Sequence, residues 1–284
     1  MKLSQTRIAI ALAVLVVTGS GCGLVNRIRA KNELNEAART YREGHFDEAE
    51  QHSRRALELD PNSKTAPQFI ARTIHAQYRP GVNTPENLAK ANEAIAAYQQ
   101  ILQKDPKNEE AYKAIAYLYG AIKEDDKLRS WISARANDGS VDAEKRAEAY
   151  IVLASKDWDC SFKITELPAN KATTLNEGNV AKVSYKKPSS QKDFDTAQAC
   201  VKRGMEEIEN AIKFDPNSES AWSYKTNLLL EAKKLAEMDG KTDVAAELDK
   251  QREVAQKRTN VLSEANQKKK EEEEARQAAS PAKK

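Results

Sequence analysis

The side chains that could do chemistry are few: three cysteines, three histidines and two acids around one tryptophan. His45 and His52 sit seven apart, near two turns of one helix, with no cysteine nearby and no HExxH frame, and His75 stands alone. Cys160 and Cys200 are forty residues apart, a spacing that excludes a CxxC redox or zinc motif. Asp157 and Asp159 flank Trp158, but a calcium loop needs more oxygen ligands around a central glycine. The chain has no GxSxG, no phosphate-binding loop and no dinucleotide fingerprint. The expectation is therefore no catalytic residue, no metal, no cofactor and no small-molecule substrate, with function exerted through binding.

The third cysteine has a different context. Lys2 and Arg7 mark a basic start, Ile8 to Val17 is unbroken apolar sequence, and Thr18, Gly19, Ser20 and Gly21 lead to Cys22. A basic region, a short apolar core and small residues describe an export signal at 1–21. Ten apolar residues fall short of the roughly 20 that a spanning helix needs. Ser20-Gly21-Cys22 resembles the end of the bacterial lipoprotein box, with Gly19 where that family prefers leucine. The resemblance implies that Cys22 is acylated, becomes the mature N-terminus and is followed by a tether at 22–29. Gly23 in place of aspartate implies the outer membrane; ordinary secretion into the periplasm is the alternative. Several acyl chains, at about 0.8 kcal/mol per buried CH2, would hold the protein to a bilayer. In an exported chain the remaining pair, Cys160 and Cys200, most simply forms a disulfide, which on chain-entropy grounds stabilises by roughly 3–4 kcal/mol.

Charge argues against a nucleic-acid partner. The chain carries 46 basic and 43 acidic residues with the signs interleaved, and the first 21 residues remove two bases and no acid. Charged residues at 31%, aromatics at 6% and ten glycines suit a helix-rich solenoid better than a sheet protein.

The elements that must position any binding surface repeat. Asp60-Pro61, Asp105-Pro106 and Asp215-Pro216 each close an apolar-periodic run: Ala49 to Leu59, Ala94 to Leu102 and Ile208 to Phe214. A recurring run with proline at one fixed point is a stacking unit. Aligned on the prolines, the chain resembles the tetratricopeptide repeat, whose frame is about 34 residues. Ala37, Gly44, Phe46, Ala49 and Ala56 fill its slots in the first unit, where Glu33 and Glu36 depart from them. Ile70, Ala71 and Ile74 fill the second, and Tyr112, Ile115, Ala116 and Tyr119 the third. A fourth unit reads as helices over Ala143–Asp157 and Phe194–Phe214, and a fifth opens at Trp222 and ends in a helix over Val244–Val261.

The expected fold is all-α, a tetratricopeptide-like α-solenoid of about five helix-turn-helix units over 30–262. Insertions fall at 79–87 and 161–191, the second a long loop with Pro168, Gly178, Pro188 and alternation at Val180, Val183 and Tyr185 that suggests a short hairpin. Residues 263–284 are expected to be a charged helix extension and, from Ala275, a disordered tail.

In that family the first helix of each pair lines a concave face. Carried onto this chain, those positions are Tyr41, Arg42, Gln68, Arg72, His75, Lys113, Tyr117 and Asn227. This mixed aromatic and cationic set suits an extended or helical peptide. The resemblance thus implies a protein or peptide partner in the cell envelope, with the chain as a membrane-tethered scaffold. Two alternatives remain open: a soluble periplasmic enzyme or ligand carrier with its site in 161–191, and a self-assembling structural protein.

Overall fold

The structure, a computed structural model, describes residues 3–175 and 181–279, with side chains described at 23–173 and 183–278. Among the described residues ten α-helices follow one another: α1 (Leu3–Arg42), α2 (Phe46–Leu59), α3 (Ala66–Gln77), α4 (Pro85–Lys104), α5 (Glu109–Ala121), α6 (Asp125–Asn137), α7 (Ala143–Thr165), α8 (Gln191–Phe214), α9 (Glu219–Met238) and α10 (Thr242–Ala279). Between α7 and α8 lies a two-stranded antiparallel hairpin, β1 (Lys171–Leu175) and β2 (Ala181–Tyr185), with Lys171 opposite Tyr185. The fold class is all-α, an array of helical hairpins of the tetratricopeptide-like solenoid kind. It divides into two compact units, 1–128 and 129–284.

Two local devices, repeated, define the array. The first ends a hairpin's second helix. Asp60, Asp105 and Asp215 share nearly one backbone conformation, with φ/ψ of −133/86°, −136/82° and −137/88°. The proline after each forbids the helical region to the residue before it. Each aspartate N–H still closes the last helical turn, on Ala56, Ile101 and Ala211 respectively. Asn108 and Ser218 then cap the next helices, accepting the backbone N–H of Ala111 at 3.0 Å and of Ala221 at 3.3 Å.

The second device reverses the chain inside a hairpin. After α1, His45 N–H reaches Thr40 O at 2.9 Å and Gly44 N–H reaches Tyr41 O at 3.1 Å, a paired closure that needs a left-handed residue between. Gly44 supplies it at φ 85°. The same pair of bonds closes α5, with Glu124 on Tyr119 and Lys123 on Gly120, and closes α9, with Lys241 on Ala236 and Gly240 on Glu237. Lys123 takes φ 59° there, the one non-glycine with positive φ among the described residues.

Packing follows from residue size. In the first unit Ala37, Ala49, Ala56, Ala66, Ala71, Ala91, Ala94 and Ala111 are fully buried, and Ile70, Ile74, Ile95, Ile101, Ile115 and Leu118 fill the space around them. The 79–87 insertion is organised. Asn87, buried on α4, accepts from Arg79 N–H at 2.8 Å and donates to the Arg79 and Val82 carbonyls at 2.8 and 2.7 Å.

In the second unit α7, α8 and α9 meet at Gly204. A Cβ there would lie 2.7 Å from Leu228 Cδ2 and 3.2 Å from Asp157 Cβ. Cys160 and Cys200 form a disulfide between α7 and α8, with Cα atoms 6.1 Å apart.

Three sequence expectations are corrected. The 161–191 insertion is shorter than expected, because α7 continues from Asp157 to Thr165 before the hairpin, so Cys160 lies within a helix. Ser161 and Thr165 are buried on that added length and both donate to Glu231 Oε2, at 3.0 and 2.7 Å. Residues 22–29, expected as a tether, are part of α1. Ala275 to Ala279, expected as tail, continue α10; the expected tail over 280–284 lies outside the described residues. Val180 and Gly178 of the expected hairpin also fall outside them.

Replacing Gly204 with alanine overpacks the three-helix junction, because Leu228 is fully buried and cannot swing clear. The expected loss is about 1–3 kcal/mol, read as a lower midpoint in urea unfolding with unchanged slope.

Candidate binding groove

The first unit carries an open groove of about 880 Å3, built from α1, α3, α4 and α5 and from the chain just after α3. Tyr41 comes from the last turn of α1, Arg72, His75 and Ala76 from α3, Tyr98 from α4, and Glu109, Glu110, Lys113, Ala114 and Tyr117 from α5. Tyr78 ends α3, and Pro80 comes from the start of the insertion that Asn87 organises. Tyr78 and Tyr98 are buried at the base, and Tyr117 stands 53% exposed and Tyr41 37% exposed at the walls.

His75 is the hub. Its ring meets Tyr98 edge-on at 5.9 Å and lies 5.6 Å from Tyr117, tilted 32°. His75 Nδ1 is 3.3 Å from the Tyr98 hydroxyl. Burial lowers the His75 pKa, which keeps the ring neutral at physiological pH. Burial, aided by the nearby Glu110 charge, pushes the Tyr98 phenol up to about 12. Arg72 binds Glu110 through two parallel bonds, Nε to Oε1 at 2.6 Å and Nη2 to Oε2 at 2.5 Å. That bond raises Arg72 and lowers Glu110, so both stay charged and satisfy one another. Lys113 has no ion-pair partner among the described residues.

The groove thus brings together Tyr41, Arg72, His75, Lys113 and Tyr117 of the sequence candidates. Arg42 and Gln68 are not among its lining residues, and Asn227 lies on α9 in the second unit. Sequence reasoning missed Tyr98, on the second helix of its pair, Tyr78 and Pro80, which follow α3, and Glu110, which lies on α5 but off the positions carried over. Two tyrosines beside a proline-bearing insertion, Tyr78 and Tyr98, were the available signal.

The second unit holds its charges inside. Asp157, buried on α7, accepts from Arg129 at 2.9 Å and from Arg203 at 2.9 Å. Arg129 also binds Glu207, whose Oε2 is buried without a hydrogen-bond partner. Burial pushes Glu207 from 4.5 up to about 8; the Asp157 charge adds to this and Arg129 opposes it.

A second cluster anchors the β-hairpin. Buried Lys234 donates to Glu231 and Glu166, each at 2.6 Å, and Glu166 also accepts from Lys171 at 2.8 Å and from the Tyr185 hydroxyl at 3.0 Å. Burial disfavours the Glu166 charge, yet hydrogen bonds from Lys171, Lys234 and Tyr185 prevail and hold its pKa near 2. Every one of these side chains is occupied in fastening the insertion to α9. A smaller groove of about 270 Å3 lies where α8 meets the α9–α10 turn. Among the described residues no group of three or more histidine, cysteine or acidic side chains could hold a metal ion. No helix among them is long and apolar enough to cross a membrane.

Helical hairpins with small residues at their contacts, stopped by Asp-Pro and opening an aromatic groove, make a tetratricopeptide-like helical fold. The protein prenyltransferase alpha subunit repeat matches residues 201–232, from α8 through the Asp215-Pro216 turn into α9. Among solved structures, a MamA double mutant (MamA RS-1 ArsTM) is 15% identical, covering 84% of this chain and 96% of its own, with a TM-score of 0.39. MamA from residue 41 to its end, from Desulfovibrio magneticus RS-1, is 15% identical over 81% of this chain and 96% of its own, at 0.37. A tetratricopeptide repeat protein from Parabacteroides merdae ATCC 43184 is 13% identical over 83% and 99%, at 0.35. At such scores nothing further follows from the likeness. No curated protein matches the chain.

Glu207 sets a pH dependence of stability in the second unit. A carboxyl whose pKa is raised by folding contributes fully below its ordinary 4.5, and that contribution is lost progressively as pH rises to about 8. Glu207→Gln is expected to match the wild type near pH 4 in thermal unfolding and to be the more stable of the two near pH 9.

Proposed function

We propose that this chain is a membrane-tethered scaffold or adaptor lipoprotein that captures a protein partner in a bacterial cell-envelope complex. The groove of the first unit carries the reading. It gathers exposed and half-buried aromatic rings, a neutral histidine and one unpaired lysine in an open trough. Aromatic side chains of this kind supply most of the energy at protein interfaces, because they bury large area at small entropic cost. The internal charges of the second unit serve its own cohesion: Glu166, Glu231 and Lys234 bind each other and Asp157 binds two arginines.

Support for the tether is chemical and lies in the sequence. A basic start, a short apolar run and Ser20-Gly21 place Cys22 where a lipoprotein is processed and acylated. The outer membrane is the favoured site because Gly23 follows the cysteine. The protein acts without catalysis, by holding its partner at the membrane.

A photo-cross-linking residue in place of Tyr117 is expected to yield one discrete protein adduct in native membranes. The same residue in place of Val261, exposed on α10 in the second unit, is expected to give none. Equal labelling from both positions, or no adduct from Tyr117, would remove the case for the groove. For the tether, Cys22→Ser is expected to shift the chain from the membrane pellet to the soluble fraction and abolish incorporation of radiolabelled palmitate. Unchanged fractionation and labelling would sink it.

A further inference from the structure

One face of α1 carries apolar side chains that its hairpin does not use. Leu24, Val25 and Ile28 are 64%, 46% and 56% exposed. At about 100° per residue they fall within an arc of about 100° on the helix surface. Ala30 and Ala37, both buried, lie on the opposite side, and so does Leu34, which packs on the cluster of Ala30, Ala56 and Ala66. The core takes one side of α1 and leaves the apolar stripe on the other.

Charge of a single sign borders the stripe. Arg27 and Lys31 lie along one edge and Arg29 along the other, all exposed and without an ion-pair partner among the described residues. No acid precedes Glu33 in the chain. Glu33 is turned to α2, where its Oε2 lies 2.6 Å from His52 Nδ1 and 3.7 Å from Arg55 Nε. The exposed Val254 and Val261 of α10, by contrast, sit among charges of both signs, Glu253, Lys257, Arg258 and Glu264. A second copy docked on the α1 stripe would set its own three cations against these, with no acid to meet them. An anionic bilayer surface suits both features: apolar side chains enter the boundary between headgroups and acyl chains, and bases meet phosphates. Each basic residue close to such a surface raises partitioning roughly fivefold.

Resting on the chain being held at a membrane, we infer that this face of α1 is itself a lipid-binding surface that docks on anionic headgroups. Leu24, Val25 and Ile28 enter the bilayer boundary, and Arg27, Arg29 and Lys31 bind lipid phosphates. An acyl group on a single residue acts as a swivel. A docked helix face beside it fixes how the first unit is turned toward the membrane.

Flotation with phosphatidylcholine vesicles, with and without phosphatidylglycerol, tests this on the full chain carrying Cys22→Ser, which cannot be acylated at that position. That chain is expected to prefer the phosphatidylglycerol vesicles by roughly a hundredfold. Adding Arg27→Gln, Arg29→Gln and Lys31→Gln together is expected to bring the two vesicle types within roughly fivefold of each other. Adding Leu24→Ser, Val25→Ser and Ile28→Ser instead is expected to weaken binding to both by roughly tenfold. All six positions are exposed, so circular dichroism is expected to show unchanged helix content. Equal binding of the parent chain to both vesicle types, or a preference that survives the glutamine variant, would overturn the inference. In native membranes a photo-cross-linking residue in place of Ile28 is expected to yield a phospholipid adduct, and one in place of Val254 none. A protein adduct in its place, or no adduct, counts against the lipid face. The vesicle measurement does not involve acylation, so absence of palmitate on Cys22 rejects the acyl tether alone. Palmitate incorporated without any vesicle preference rejects the face alone.

Discussion

Close approach of helix to helix through residues with almost no side chain is the constraint on which this structure depends. Alanine at 37, 49, 56, 71, 91, 94 and 111 has no exposed surface, and Gly204 admits Leu228 where even a methyl group would collide. Backbones so close leave larger neighbours to fix the spacing of successive hairpins. The two stops then set where each helix begins and ends. Asp-Pro holds one residue out of the helical region, and a left-handed residue at 44, 123 or 240 folds the chain back. The groove is an outcome of that spacing: tyrosines too large for the contacts between hairpins are left to line the trough.

The two units solve the problem of polar burial differently. In the first, polar burial is mostly local: Ser53 and Thr73 bond carbonyls of their own helices, and Asn87 holds its own loop. In the second, charged groups are buried in pairs and triads, and Glu231 and Lys234 are each nearly inaccessible. Removing one member of such a set strands the others, commonly at about 3–5 kcal/mol, whereas the intact set adds little net stability. Its value here is positional. Lys234 ties Glu166 at the end of α7 to α9 and draws Tyr185 of the hairpin onto the same point.

The sequence made some of this legible and hid the rest for identifiable reasons. Asp-Pro steps and buried alanines could be read directly, since both act through local sterics. The α7 extension could not, because the residues that bury it are Ser161 and Thr165, and their partner Glu231 is charged. Apolar periodicity is blind to a helix face that is buried by hydrogen bonding. The continuation of α10 through Ala279 was hidden for a related reason: lysine, glutamate, glutamine and alanine sustain a helix by propensity without any apolar stripe. In the groove, first-helix positions found Tyr41, His75 and Tyr117, while Tyr98 reaches the same space from the second helix of its pair. Its contribution depends on how α4 rotates against α3, which a linear repeat frame does not encode.

The continuity of α1 has a mechanical consequence. If Cys22 is acylated as proposed, the helical path to Tyr41 at 1.5 Å per residue is a strut of roughly 28 Å, not a floppy leash. Under that proposal a strut would keep the trough within a bounded reach of the lipid headgroups. A ligand emerging from the same bilayer would then need a stalk of matching height, so that geometry would select among docking segments before affinity does.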